Sequence, residues 1–500
     1  MKTKITLLNM MSALLLQICS IIGGFIVPHI IINYFGSNVN GLVSSLNQFL
    51  SYISLLEGGI TSVVMANLYK PLSQKNMDTI SSIMVTAKKF FSQIGMIFII
   101  YSLILAAVYP FCARGQFGYW YVFWLTIILS ISLVIQYLFS ISLRVLLEAD
   151  KKVYIVSFTQ CIIVVLNVIL VYVCVRIFPS IHLLKLISGL VYILQPVVFF
   201  HIVSKKYNID WNRHHDKSLI KERWSGFAIN LAAFIHEGTD IAILTFCSNF
   251  EMISVYTVYA LITNGLKQVV ASLTSGINAS LGHSYAKGNL KEIHLKLDLY
   301  EYIIFSVVTF LFTVAMLLIT PFVMIYTQGV RDADYYQPLF GIVFVMAEAL
   351  YLLKFPHLNL AYSANKFREV TPYAYIEAII NILVSSILVW KFGLSGVAMG
   401  TFIAMLFRMA AHVYYTSKIV PTRRPSIFVY KLVIYVLGSV FSSLVCIYFA
   451  PIETYTIWQW IAHGVIYSVI VGVVILSISF CFFSKELKFF KNYIRRGGHK

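Results

Sequence analysis

The chain is short of charge. Asp, Glu, Lys and Arg together make up 12% of its 500 residues, about half of what an ordinary soluble surface carries. A water-exposed globular enzyme of this length is therefore excluded. Acid is scarcer still, with 20 Asp and Glu against 38 Lys and Arg. Polar stretches long enough to build an extramembrane domain are missing: the longest, "SKKYNIDWNRHHDKSLIKERW", covers residues 204–224. Cys19, Cys112, Cys161, Cys174, Cys247, Cys446 and Cys481 all lie in or at the edge of apolar segments. Their spacing fits neither a metal site nor a disulfide framework, and they read as inert. No small-x-small cleavage site closes the apolar start, so "MKTKITLLNMMSALLLQICSIIGGFIVPHIII" reads as an uncleaved first span.

What the chain has is apolar length. It is 59% hydrophobic, and runs of ~20 apolar residues, enough to cross ~30 Å of hydrocarbon, recur from end to end. The runs are continuously apolar and do not alternate with period two, which excludes a β-barrel. The expected fold class is an all-α polytopic membrane protein with about 14 transmembrane helices. The spans fall near 5–33, 42–67, 90–112, 118–142, 153–178, 183–204, 225–247, 253–282, 299–325, 337–360, 371–391, 394–417, 428–450 and 456–483. With both termini on one side, that side holds every Lys and Arg except Arg114, Arg176, Lys185, Arg331, Lys391 and the in-span Lys267 and Arg408. Such a bias predicts cytoplasmic termini. The net charge of +18 then faces cytoplasm and anionic headgroups, and nucleic acid is not an expected partner.

Two weak internal echoes suggest a repeat. A shift of 217 aligns Gly59-Ile60 with Gly276-Ile277, Lys70 with Lys287 and Asn47 with Asn264. A shift of 215 pairs Ala149 and Lys151 with Ala364 and Lys366, and Asn167 with Asn381 within one residue. Six spans lie between echoes, so the two halves share one orientation, the layout of a two-lobed transporter. The expected organisation is an N-terminal six-helix lobe (1–204), a cytoplasmic inter-lobe loop (205–224) and a C-terminal six-helix lobe (225–420). Residues 421–500 would add two further helices, an appendage, and a basic tail.

Ionisable side chains at mid-depth are costly and usually face a bundle interior or a cavity. The candidates are Glu57 in span 2, His236, Glu237 and Asp240 in span 7, Lys267 in span 8, Glu348 in span 10 and Arg408 in span 12. Gly58 and Gly59 would give span 2 its flexibility. Arg408 suits phosphate because its planar fork binds oxyanions in bidentate fashion. His412, one turn on, reads as a satisfied core residue, and Lys354 as interfacial. These depths hold more carboxylates than cations; proton- or sodium-coupled exchange would use the same carboxylates. No nucleophile–base or metal motif appears, and no other cofactor is expected, so the chain is not read as an enzyme.

The stretch "YFGSNVNGLVSSLNQFLSYISLLEGGITSVVMANLYKPLSQKN" (34–76) resembles the span 1–span 2 signature of bacterial polysaccharide transporters, the oligosaccharide flippases. These share a superfamily with multidrug and toxin extrusion proteins and lipid II flippases. The resemblance extends over the whole chain through span count and half-and-half layout. It implies flipping of undecaprenyl-pyrophosphate-linked oligosaccharide units to the outer leaflet of the bacterial plasma (inner) membrane, for O-antigen, capsule or exopolysaccharide assembly. Membrane lipids and polysaccharide polymerase machinery are the partners it implies. A cation-coupled drug antiporter of the extrusion type is the alternative. The cationic cluster of lipid II flippases in span 1 has no match here.

Overall fold

The computed structural model describes residues 2–57, 59–113, 115–213, 238–286, 288–451 and 456–495, and every regular element among them is helical. Ten helices are long and apolar enough to cross a bilayer, and a bent pair makes an eleventh. The chain divides into two compact units, residues 1–234 and 235–500.

In the first unit, α1 (Lys2–Phe35) is followed by a broken span, α2 (Ser37–Ser51), α3 (Ser54–Glu57) and α4 (Ile60–Gln74). The two halves of that span meet at 43°. Next come α5 (Met77–Cys112), α6 (Tyr119–Ile135) and α7 (Ile141–Ala149), the last two joined by a π-helical turn at Gln136–Ser140. The unit continues with α8 (Val153–Ile177), α9 (Ile181–Val191) and α10 (Leu194–Lys206). Its core gathers Ile60, Val64 and Leu68 of α4 against Ile80, Met84, Phe91 and Phe98 of α5 and Leu143 and Leu146 of α7.

The second unit begins, within the described residues, with α11 (Gly238–Cys247). It continues with α12 (Phe250–Ala286), α13 (Leu290–Tyr326), α14 (Pro338–Leu353) and α15 (Phe355–Ser363). The 53-residue α16 (Phe367–Ile419) is two helices meeting at Gly393, whose φ of 54° and ψ of −132° interrupt it. Every expected span but the seventh has a helical counterpart, and residues 225–237 of span 7 lie outside the described residues. The additional pair is α17 (Pro425–Phe449) and α18 (Ile457–Phe482), and α19 (Ser484–Arg495) closes the described chain.

The repeat is written into the turns. Lys75 (φ 55°) precedes Asn76, whose side chain caps α5 by accepting from Thr79 N at 3.1 Å. At residues 288 and 289, 213 positions on, Gly288 (φ 67°) precedes Asn289, which caps α13 by accepting from Glu292 N at 3.2 Å. Between α7 and α8, Lys151 takes φ 60°, and the Lys152 and Lys151 amides donate to Leu147 and Glu148 carbonyls. Between α15 and α16, Asn365 takes φ 55°, and Lys366 and Asn365 amides donate to Ala361 and Tyr362 carbonyls, 214 positions on. The shared feature is a left-handed residue closing one helix one step before the next begins. The true register is therefore 213–214, a few residues from the shifts suggested by the apolar words. Short apolar words slide easily; capped turns do not.

Candidate functional site

Glu57 ends α3, in the break of span 2. A break releases backbone groups that helix hydrogen bonding would otherwise use. Tyr101 of α5 takes one of them, its hydroxyl donating to Phe49 O at 2.7 Å. Gly59 starts α4 at φ 73°, a left-handed conformation that a Cβ disfavours. Gly58 lies outside the described residues. The half-buried Glu57 carboxylate accepts from Thr61 Oγ1 at 2.5 Å and from the Tyr137 hydroxyl at 3.4 Å. Tyr137 stands on the π-helical turn, a feature often found where a helix does chemistry or moves.

His236 and Glu237 lie outside the described residues. Asp240, 3% exposed, sits on α11. Both its oxygens accept from Thr401 Oγ1 at 2.9 Å, one from Asn381 Nδ2 at 3.2 Å and one from the Tyr256 hydroxyl at 3.1 Å. Ser385 donates to Asn381 Oδ1 at 2.8 Å and contacts the Val397 carbonyl at 3.1 Å. The two halves of α16 supply these groups because they cross closely. A Cβ on Gly400 would fall 2.0 Å from Ser385 Oγ, and one on Gly396 would fall 2.3 Å from the Leu388 carbonyl oxygen. A carboxylate, an amide, three hydroxyls and a carbonyl gather here, and oxygen donors of this type suit hard cations.

A second, charged layer links α12, α14, α15 and α16. Lys267 lies 3.0 Å from both oxygens of Glu348. Arg408 pairs with Glu377, and both are buried. The Tyr351 ring carries two cations, Lys354 Nζ at 3.7 Å and Lys267 Nζ at 5.5 Å from its centroid. Two positions differ from expectation. Lys354 is 0% exposed and not interfacial, because it lies at the passage from α14 to α15, facing inward against Met405 Sδ at 3.8 Å. Neither ring nitrogen of the buried His412 has a hydrogen-bond partner, and its contact is the edge of Tyr373 at 5.7 Å. Lys267 and Arg408 meet Glu348 and Glu377, while Asp240 is held by hydroxyl and amide groups.

Sequence reading passed over Glu377, although an acid between "YAYI" and "AIINILV" is the same signal that picked out Glu348. With Glu377 and Lys354 counted, this layer holds three cations against two carboxylates. Across all the mid-depth groups carboxylates stay in excess; the excess of basic side chains is local to this layer.

Elsewhere in the second unit, Arg423 reaches Asp298 at 2.8 Å and Glu301 at 2.5 Å, and Lys431 of α17 reaches the same two acids at 3.1 and 3.0 Å. His357 completes the group, 3.2 Å from Glu301 and 2.9 Å from Thr416 Oγ1. Burial works against the Arg423 charge, but Glu301 and Asp298 outweigh it and hold the guanidinium above its usual value. This buried charge network ties α17 to α13.

An apolar groove of about 560 Å³ lies between α12, α13 and α18, lined among others by Leu266, Phe310, Leu318 and Trp460. Leu266 on its wall precedes Lys267.

No family model matches this chain, and no curated protein sequence matches it. Solved structures do match. A lipid II flippase, MurJ, in an inward closed conformation aligns with a TM-score of 0.68 over 94% of this chain and 98% of its own, at 16% identity. An inward-facing multidrug resistance MATE transporter of the MOP superfamily aligns at 0.63 over 81% and 96%, at 12% identity. The MATE multidrug transporter DinF-BH aligns at 0.59 over 84% and 96%, at 15% identity. The chain has the fold of these transporters.

Proposed function

We propose that the chain flips a lipid-linked oligosaccharide, carried on undecaprenyl pyrophosphate, from the cytoplasmic to the outer leaflet by alternating access. The observation that carries this reading is the presence of unlike surfaces in the second unit. It holds a cation-rich layer (Lys267, Lys354, Arg408) and an apolar groove, and α12 contributes to each. An amphiphile with an anionic head and a long hydrocarbon tail matches both. The head cannot cross hydrocarbon bare, so the protein must supply compensating charge along the way. The likeness to the lipid II flippase extends over 94% of the chain, which supports a lipid-linked cargo. The basic bias of the loops supports a bacterial inner-membrane protein with cytoplasmic termini, and O-antigen, capsule or exopolysaccharide assembly is the pathway class proposed.

Coupling is proposed to run through Asp240. Its cage of Asn381, Ser385, Thr401 and the Val397 carbonyl supplies oxygen ligands that suit sodium, and a proton on Asp240 would serve the same end. The same cage keeps a cation-coupled drug antiporter as the second reading.

Deleting the gene in its host and following surface glycans decides between them. Loss of one glycan with build-up of its lipid-linked unit on the cytoplasmic side, restored by the intact chain, supports the flippase. Normal glycans with raised sensitivity to cationic drugs would replace it with the antiporter.

A further inference from the structure

The buried donors of the charged layer outnumber their acceptors. Lys354 is 0% exposed, yet it has no carboxylate within salt-bridge distance among the described residues. Its ammonium meets only a thioether at 3.8 Å and the Tyr351 ring at 3.7 Å. One turn along α16 from Met405, Arg408 spends one terminal nitrogen on Glu377 while its Nε has no partner. One further turn on, both nitrogens of His412 are unpartnered. Arg408 and Lys354 both lie within electrostatic reach of the His412 ring.

Buried polar groups are almost always hydrogen-bonded, and each exception needs a cause. A buried ammonium without a counter-charge is among the most costly. Structural pairing accounts for Arg408 with Glu377 and for Lys267 with Glu348. It leaves Lys354, the Arg408 Nε and the His412 ring unexplained.

We propose that Lys354, Arg408 and His412 form a binding site for a phosphate-type oxyanion, with Tyr351 holding Lys354 in place until the anion arrives. The assignment deepens the flippase reading and rests on it for the lipid-borne source of the anion. Ammonium, guanidinium Nε–H and imidazole are the donor types that phosphoryl oxygens take in charge-assisted bonds. A planar carboxylate ligand offers two oxygens, and Glu377 already supplies one carboxylate. The donors left over come from two elements, Lys354 at the passage from α14 to α15 and Arg408 with His412 one turn apart on α16, and a phosphoryl group has oxygens enough for all three. Lys354 stands where α14 passes to α15, so a change at that break carries the ammonium with it. The layer is closed to solvent here, and the anion enters when it opens.

The stability sign separates a ligand site from a structural one. A group held unpaired for a ligand destabilises the ligand-free protein, so its removal relieves a cost. A structural group does the reverse.

The test uses the full chain in phosphatidylcholine nanodiscs with three probes: inorganic pyrophosphate, undecaprenyl pyrophosphate and undecaprenol. The wild type is expected to bind the two pyrophosphate probes and to gain Tm with them, and to gain nothing specific from the alcohol. Lys354→Met should weaken pyrophosphate binding roughly tenfold or more, with ligand-free Tm unchanged or raised. Lys354→Arg should keep most of the binding. If inorganic pyrophosphate binds but the lipid form does not, the anion site stands and the lipid-linked cargo falls. If Lys354→Met lowers ligand-free Tm and binds pyrophosphate as the wild type does, the site is structural and the proposal is overturned, while the flippase reading, tested by glycan display, is untouched.

Discussion

Asp240 and Glu57 are both acids at mid-span, and their surroundings assign them different work. Asp240 is closed in by Thr401, Asn381 and Tyr256 on three other helical segments. Replacement by Asn keeps the shape and removes the charge a cation needs. Asp240→Asn should abolish any sodium-dependent rise in Tm while leaving the fold intact, as read by thermal unfolding across a sodium titration. An unchanged sodium response would remove Asp240 from the coupling scheme. Glu57 has a hydroxyl on either side, Thr61 and Tyr137. Glu57→Gln keeps an acceptor for Thr61, so the stability cost should be about 0.5–1.5 kcal/mol, the worth of one ordinary hydrogen bond. Restored glycan display at matched abundance should nevertheless fall sharply if the charge serves transport. Full complementation would leave Glu57 as a local staple of the broken span.

Residue identity alone located these acids because charge within an apolar run is conspicuous in a one-dimensional reading. Partnership was not legible. Lys267 sits 81 residues from Glu348, and Arg408 sits 31 from Glu377; only the fold brings them together. Lys354 read as interfacial because it lies near the end of an apolar run, and burial by neighbouring helices leaves no mark on its own sequence.

At the scale of elements, interruptions matter more than helices. Span 2 breaks at Glu57–Gly59, span 4 carries a π-helical turn at Gln136–Ser140, span 10 breaks at Lys354, and α16 folds back at Gly393. The last of these brings Asn381 and Ser385 beside Thr401, and it depends on two glycines for which there is no spare space. Gly400→Ala would place a Cβ against the Ser385 backbone nitrogen at 2.6 Å as well as its hydroxyl. The two halves of α16 must then part, opening the Asp240 cage. Overpacking of this kind typically costs about 1–3 kcal/mol, and loss of the sodium response should accompany it. Retention of both stability and response would mean that the crossing tolerates more than its distances suggest.

The clamp on α17 makes a prediction of opposite character. Glu301 is 0% exposed and answers two cations and a histidine. Glu301→Gln leaves Arg423 and Lys431 buried with one acid fewer, a loss expected to cost about 3–5 kcal/mol. Adding Lys431→Met should recover part of it, since the second change removes one of the stranded charges. A double variant no more stable than the single would show that the cations are not competing for Glu301.

For the whole molecule, the count of spans was legible because bilayer thickness sets a fixed length for apolar runs. The repeat was visible only as echoes, since the halves share turn geometry more than side chains. Orientation is the property on which flipping depends: a carrier loading lipid-linked sugars from the cytoplasm must present its basic loops there. Single cysteines at Asn212 and Lys485, in a cysteine-free background, should resist a membrane-impermeant thiol reagent in intact cells and react after permeabilisation. A cysteine at Asn249, in the turn between α11 and α12, should react in intact cells. Asn212 follows span 6 and Asn249 follows span 7, so one crossing separates them. The reverse pattern would place the basic loops outside, against the charge bias, and remove the cytoplasmic loading step. Equal labelling at Asn212 and Asn249 would mean that the chain between them does not cross at all. That pair of positions is the most direct probe of whether a full span separates the two halves.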